Sequence, residues 1–232
     1  NGALVGAGGF FGPILPNLVM PVARLYMRKM VGHLVLDAES DALNKILDKA
    51  AESGEQLNLN LLGEAVLGEE EAKSRAERTL KLIQNPRVTY VSVKASSMVA
   101  QLNHWDIDGS VERLKERLRP LYLAAANRTD KVFINMDMEE YHDLHLTIRL
   151  FKELLSEPEF LTLDAGIVLQ AYLPDTFDAL KDVADFAKER VAKGGGKVKV
   201  RIVKGANLSM ETVQGEVHDW PLATYTNKLD VD

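Results

Sequence analysis

Lys197–Asn207, KVKVRIVKGAN, is the stretch on which the reading of this chain turns. Val198, Val200, Ile202 and Val203 are the β-branched residues of a strand, since two heavy atoms on Cβ suit a pleated backbone. Lys199 and Arg201 break what would otherwise be the continuous apolar run of a parallel strand covered on both faces. One face of this strand is therefore expected to meet something polar. The strand runs into Lys204-Gly205-Ala206, where a missing side chain lets backbone N–H groups approach an anion and a lysine supplies the opposite charge. An ordinary glycine turn accounts for the same residues, so the stretch alone leaves both readings open.

Working outward, short apolar runs alternate with helix-period segments from Leu57 to the end of the chain. The predicted strands are Leu57–Glu64, Val88–Lys94, Val132–Asp137, Gly166–Tyr172 and Val198–Lys204. Between them Glu69–Ile83, Ser110–Asn127, Glu139–Ser156 and Thr176–Lys193 carry apolar positions at helical spacing with charges opposite. Repeated βα units imply an α/β fold with a parallel sheet, either doubly wound or closed as a barrel. A complete eight-fold barrel takes about 250 residues, so the 232 residues here would supply a helical arm and about the first five βα units. The expected organisation is an N-terminal Gly/Pro-rich arm with helices over 1–55 and a portion of the barrel over 56–232.

The arm is apolar and uncharged from Asn1 to Ala23, yet Gly2, Gly6, Gly8, Gly9, Gly12, Pro13, Pro16 and Pro21 make it a poor spanning helix. It is expected to dock on the body or a partner, with a peripheral membrane contact as the other use of such a surface. Arg24–Leu36 follows as a basic amphipathic helix, with Leu25, Met27, Met30, Val31 and Leu34 as its apolar set, and Asp41–Ser53 as a second helix closed by Gly54.

Composition excludes several classes. A formal charge of −6 disfavours general nucleic-acid binding. With no cysteine there is no disulfide, thiol nucleophile, iron–sulfur cluster or Cys-ligated zinc, which fits a reducing cytoplasm. GxSxG, P-loop and HExxH patterns are missing, and GAGG near the start lacks the preceding strand of a dinucleotide fingerprint. A chain that opens on Asn1 and stops at KLDVD reads as a piece of a longer polypeptide.

In parallel α/β folds the working side chains stand at the carboxyl ends of strands. Each predicted strand places a polar group there: Glu64, Lys94, Asp137, Gln170, and Arg201 with Lys204. Three cations, two carboxylates and an amide suit a flavin, where an amide reads the ring edge, a cation stabilises the reduced anionic ring and the glycine turn takes the pyrophosphate. The same set suits a phosphosugar lyase with Lys94 or Lys204 as Schiff-base lysine. His142 and His145 stand three apart on a predicted helix near Asp137, Glu139 and Glu140, but no third ligand has a clear position, so no metal is expected.

The pieces NLLGEAVLG, VSVKASS, NMDMEEYHDLHLTI, GIVLQAYLPD, VRIVKGANL and WPLATYTNK run in order from about Leu57 to the last residue. Together they resemble the proline dehydrogenase domain of bacterial bifunctional proline dehydrogenase/glutamate-semialdehyde dehydrogenases, the proline utilisation type. GPILPNLVMPVAR and MVGHLV are similar to the arm preceding the barrel in that family. The resemblance implies a distorted (βα)8 TIM-type barrel holding FAD, and oxidation of L-proline to Δ1-pyrroline-5-carboxylate by hydride transfer from C5 to flavin N5. It further implies electron delivery to a quinone, a cytoplasmic enzyme peripheral on the inner face of the membrane, a fused aldehyde dehydrogenase domain, and a homo-oligomer.

Residue by residue, the resemblance assigns Lys94 to the substrate carboxylate, Asp137 to the active-site aspartate, and Glu64 to a first-strand glutamate that holds a later arginine. Gln170 becomes a flavin-contacting glutamine and Arg201 the arginine beside flavin N5. Met138 supplies a backbone contact, Val203, Lys204, Gly205 and Ala206 form the turn around the cofactor, and Thr226 with Lys228 reach its adenosine side. Asn207 stands where many relatives carry an aromatic residue, so no role is carried over to it. The family's paired carboxylate-gripping arginines fall beyond Asp232, which implies that residues 1–232 alone neither close a barrel nor turn over proline. A Schiff-base lyase and a non-catalytic interaction fragment are the alternatives.

Overall fold

The computed structural model describes residues 16–31, 35, 41–61 and 66–232. They fall into two compact units, Asn1–Lys49 and Ala50–Asp232. In the first, helix α1 (Pro16–Val31) starts well before the predicted Arg24 and carries Pro21 inside it. The Leu, Met, Arg and Lys residues around Pro21 are strong helix formers, and they outweigh the one backbone donor that proline removes. Helix α2 (Asp41–Glu52) ends as its sequence predicts, with Gly54 at φ +73° and the Glu55 N–H reaching back to the Ala50 carbonyl at 2.8 Å. No helix among the described residues is long and apolar enough to cross a membrane.

The second unit is built on β1 (Leu59–Asn60), β2 (Tyr90–Lys94), β3 (Phe133–Asp137), β4 (Ala165–Gln170) and β5 (Val198–Val203). Every pairing is parallel and the strand order is β1-β2-β3-β4-β5, so each strand lies beside its neighbour in sequence. A doubly wound sheet would reverse direction at a switch point. Consecutive order is instead that of a barrel wall. Helices α3 (Glu69–Gln84), α4 (Ile107–Ala126), α5 (Leu144–Ser156) and α6 (Thr176–Ala192) connect the strands, and α7 (Leu208–His218) and α8 (Lys228–Val231) follow β5.

Register decides which side chains face which way. Ser92 pairs with Asn135, Lys94 with Asp137, Asn135 with Gly166, and Val168 with Arg201. Because side chains alternate along a strand, one face holds Val91, Val93, Ile134, Met136, Ala165, Ile167 and Leu169, none more than 1% exposed. This face packs on the helices, where Leu114, Leu118 and Tyr122 of α4 and Leu150, Phe151 and Leu154 of α5 are fully buried. Each such side chain contributes about 1.5–3 kcal/mol through removal from water.

The other face holds Asn60, Ser92, Lys94, Asn135, Asp137, Gln170 and Arg201, the concave side of the sheet. Gly166 sits in its middle, where a Cβ would come within 2.6 Å of Asn135 Oδ1. A side chain there would evict Asn135. The two charges inside β5 are now explained: Lys199 Nζ lies 5.2 Å from the Tyr90 ring centre, and Arg201 reaches Asp137.

Two elements differ from expectation. Helix α5 begins at Leu144 rather than Glu139, after a 3₁₀ turn over Tyr141–Asp143. The backbone before it is engaged elsewhere: the Glu139 carbonyl accepts from Gln170 and the Tyr141 N–H donates to Glu211. β1 is two residues long: Leu57, Asn58 and Leu61 of the predicted strand are not in it, and Glu64 lies outside the described residues.

Candidate active site

The carboxyl ends of β2, β3, β4 and β5 bring four of the predicted residues to one rim in two hydrogen-bonded groups, Asp137 with Arg201, and Lys94 with Gln170 through Glu139. Asp137, whose side chain is 12% exposed, is the hub of the first. Its Oδ1 accepts from Arg201 Nη2 at 2.6 Å and from Asn135 Nδ2 at 2.7 Å, with Ser92 Oγ at 3.4 Å; its Oδ2 accepts from Asn60 Nδ2 at 3.2 Å. Burial raises the Asp137 carboxyl above the ordinary value even though Arg201 and Lys94 pull it down. Lys94 forms an ion pair with Glu139 across the rim. Glu139 also links the next strand, because its backbone carbonyl accepts from Gln170 Nε2 at 2.6 Å.

Gln170 is fully buried, and its Nε2 also donates to Tyr172 Oη at 2.7 Å. Its Oε1 is buried and meets no donor among the described residues. Arg201 mirrors this: its Nη2 is paired, while its Nε is buried with no acceptor among the described residues. A buried polar atom left unpaired costs about 1–3 kcal/mol, so one acceptor and one cationic donor stand ready for an outside group. Tyr172 is held neutral beside them, its phenol pushed up to about 12 chiefly by burial.

The remaining predicted residues are placed more loosely. Val203 lies opposite Gln170 in the register, and its carbonyl accepts from Ala171 N at 2.8 Å. Met138 is buried directly after Asp137. Lys204, Gly205 and Ala206 form an exposed turn; Lys204 pairs with Asp232, and nothing lies within 4 Å of where a Gly205 Cβ would stand. Nothing among the described residues therefore demands glycine at 205. Thr226 and Lys228 are exposed on a segment tied to the rim by Tyr225 N donating to Tyr172 O at 2.9 Å. Glu64 lies outside the described residues.

Sequence reasoning passed over Glu139, Ser92, Asn135, Asn60 and Tyr172. The signal for Ser92 and Asn135 was present, since each stands two residues before a predicted site residue and so shares its face. Tyr172 likewise stands two residues after Gln170 within the predicted strand, whereas Glu139 lies past the end of β3, where no period reaches. His142 and His145 point to different places: His142 turns toward His104 and Asp143, while His145 faces a groove between α5 and α6 with Asp175, Asp178 and Asp182.

Comparison with known proteins agrees with this fold. Proline Utilization A from Corynebacterium freiburgense superposes with a TM-score of 0.85 at 64% identity, over 89% of this chain and 21% of that one. Proline utilization A from Bdellovibrio bacteriovorus, solved after inactivation by N-propargylglycine, gives 0.71 at 34% identity, over 81% of this chain and 21% of that one. The Bifunctional protein PutA of Klebsiella aerogenes is 29% identical over 201 residues, which is 79% of this chain and 14% of the relative. The chain thus spans well under a third of these proteins. The sheet is the same parallel α/β architecture as the barrels of those proline dehydrogenase domains. The family model described as "Proline dehydrogenase" matches residues 43–232, and on that match the chain belongs to the proline dehydrogenase family.

Proposed function

We propose that this segment, within its complete polypeptide, oxidises L-proline to Δ1-pyrroline-5-carboxylate using FAD, passes the electrons to a quinone, and works beside a fused aldehyde dehydrogenase domain. The observation that carries the reading is a pair of buried atoms without a partner among the described residues, Gln170 Oε1 and Arg201 Nε, on one rim with Lys94 and Asp137. An amide acceptor and a guanidinium donor fit the polar edge of an isoalloxazine ring. Bound FAD would supply the acceptor for the hydride leaving proline C5.

The protein's own groups do the positioning. Gln170 is locked by its two donated bonds, so its free oxygen has one direction to offer. Asp137 holds Arg201 in place through a charge-assisted bond and keeps that cation at the rim, where it stabilises developing negative charge. Lys94 stands on the neighbouring strand as the cation for the proline carboxylate, and Glu139 neutralises it until substrate arrives. Val203, Gly205 and Ala206 would offer backbone groups to the cofactor, Lys204 a charge, and Thr226 with Lys228 its adenosine end.

The Schiff-base alternative is less well supported, because Lys94 and Lys204 are both engaged with carboxylates, Glu139 and Asp232. The test uses the intact polypeptide under anaerobic conditions. L-proline should bleach the visible flavin absorbance and a soluble quinone should restore it; a flavin spectrum unmoved by proline would sink the proposal.

A further inference from the structure

A second polar cluster lies just outside the rim, and none of its members takes part in the chemistry described above. His104, on the loop after β2, and His142 and Asp143, on the loop after β3, bring their ligand atoms to within 4.8 Å of one another. Both imidazoles present Nε2 to the same oxygen: His104 Nε2 is 2.7 Å and His142 Nε2 3.8 Å from Asp143 Oδ1. The rings meet edge to face, 4.3 Å between centres. Glu140 Oε2 lies 3.1 Å from His142 Nε2 and offers a fourth ligand atom. We propose that His104, His142 and Asp143, completed by Glu140 or water, form a binding site for a divalent transition ion of the zinc class.

Three observations support this over a simple histidine–carboxylate hydrogen bond. Asp143 occupies the N-cap position of α5, where an aspartate normally accepts from the first-turn N–H groups, yet its side chain makes no capping bond. Its carboxylate, 7% exposed, is turned to the imidazoles instead. Second, zinc bonds of about 2.0–2.2 Å to nitrogen and oxygen set ligand atoms about 3.3 Å apart in a tetrahedron. The separations of 2.7 and 3.8 Å from Asp143 Oδ1 lie on either side of that spacing, within a set that spans 4.8 Å. Third, the corner is anionic: Glu140 and Asp143 are joined by Glu211, whose Oε1 accepts from Tyr141 N at 2.7 Å.

Imidazole nitrogens with one or two carboxylates select borderline transition ions over magnesium and calcium, which require oxygen ligands. The consequence is mechanical. The ion would staple the loop that follows Lys94 to the loop that carries Glu139, the partner of Lys94.

Calorimetric titration of zinc chloride into the chelator-treated intact polypeptide tests the site, with His104→Ala, His142→Ala and His145→Ala as variants. All three histidines are at least partly exposed, so the variants are expected to fold. The parent and His145→Ala should bind one zinc equivalent that His104→Ala and His142→Ala each bind at least tenfold more weakly, and magnesium should not compete. Hydrogen exchange of segments 98–106 and 138–145 should slow in the parent when zinc is added. Equal zinc stoichiometry and affinity in the parent and both site variants would overturn the site. Binding without slower exchange in either segment would overturn the staple.

Discussion

The two ends of the sheet use arginine in opposite ways. At the amino end, Arg128 donates to the carbonyls of Ile83, Asn85 and Val88, each at 2.8 Å, and to that of Pro86 at 3.0 Å. Arg190, 3% exposed, donates to Gly196, Phe160 and Leu163 carbonyls at 3.1, 2.5 and 2.9 Å and also to that of Leu155. Arg190 is spent on the chain's own backbone, and Arg128 on backbone and the Asp130 carboxylate. At the carboxyl end, Arg201 spends one nitrogen on Asp137 and leaves Nε unpaired, and Gln170 leaves its oxygen unpaired. Saturated polar groups tie loops together; unsaturated ones are available to a ligand. In barrel folds the same division separates the stability face from the working face.

That contrast breaks most visibly at Arg190. Replacing it by methionine strands four buried carbonyls, and the cost should be about 3–4 kcal/mol, read as a lower urea midpoint of the intact protein. A loss below about 1 kcal/mol would show that water satisfies those carbonyls and that the amino end is not held by arginine. Arg201→Met should do the reverse. Proline oxidation should fall about 100-fold in kcat/KM, worth about 2.7 kcal/mol of transition-state stabilisation, with a change in stability under about 1 kcal/mol because the side chain is partly exposed. Equal losses of stability and activity would erase the distinction between the two ends.

The smallest effect sharpens the comparison through pH. Burial raises the Asp137 carboxyl, so the folded protein takes up a proton between the ordinary value, about 3.9, and the raised one. The stability this group contributes is whole below that window and is lost as pH rises through it. Asp137→Asn has no such loss. The stability difference between variant and parent, from urea unfolding at a series of pH values, should move in favour of the variant as pH rises from about 3 to about 7. Movement toward the parent would mean that the Arg201 and Lys94 charges, rather than burial, dominate the site.

Much of this was legible before any coordinates. The run from Val198 to Val203 is β-branched enough to be a strand anywhere, and the alternation from Leu57 onward is strong enough to give every strand of the sheet to within a few residues. The rim rule singled out Lys94, Asp137, Gln170 and Arg201 because a polar group recurs at every predicted strand end, and register places them on one face of the sheet. Glu139 was read as the first residue of a helix, since its local pattern is helical; tertiary demands on its carbonyl and on the Tyr141 N–H keep it in a loop. His104 carries no local signal, because its partners are 38 and 39 positions away, a distance that no spacing rule spans.

The amino-acid sequence by itself determined the parallel α/β architecture and the residues at the strand ends, because side-chain period, β-branching and glycine placement are local properties of the backbone. Tertiary structure alone decided the consecutive strand order, the hub at Asp137, the unpaired atoms of Gln170 and Arg201, and the meeting of His104 with His142 and Asp143. Those depend on register between strands and on which buried polar atoms find a partner, and such pairing is settled only when distant segments compete for the same space.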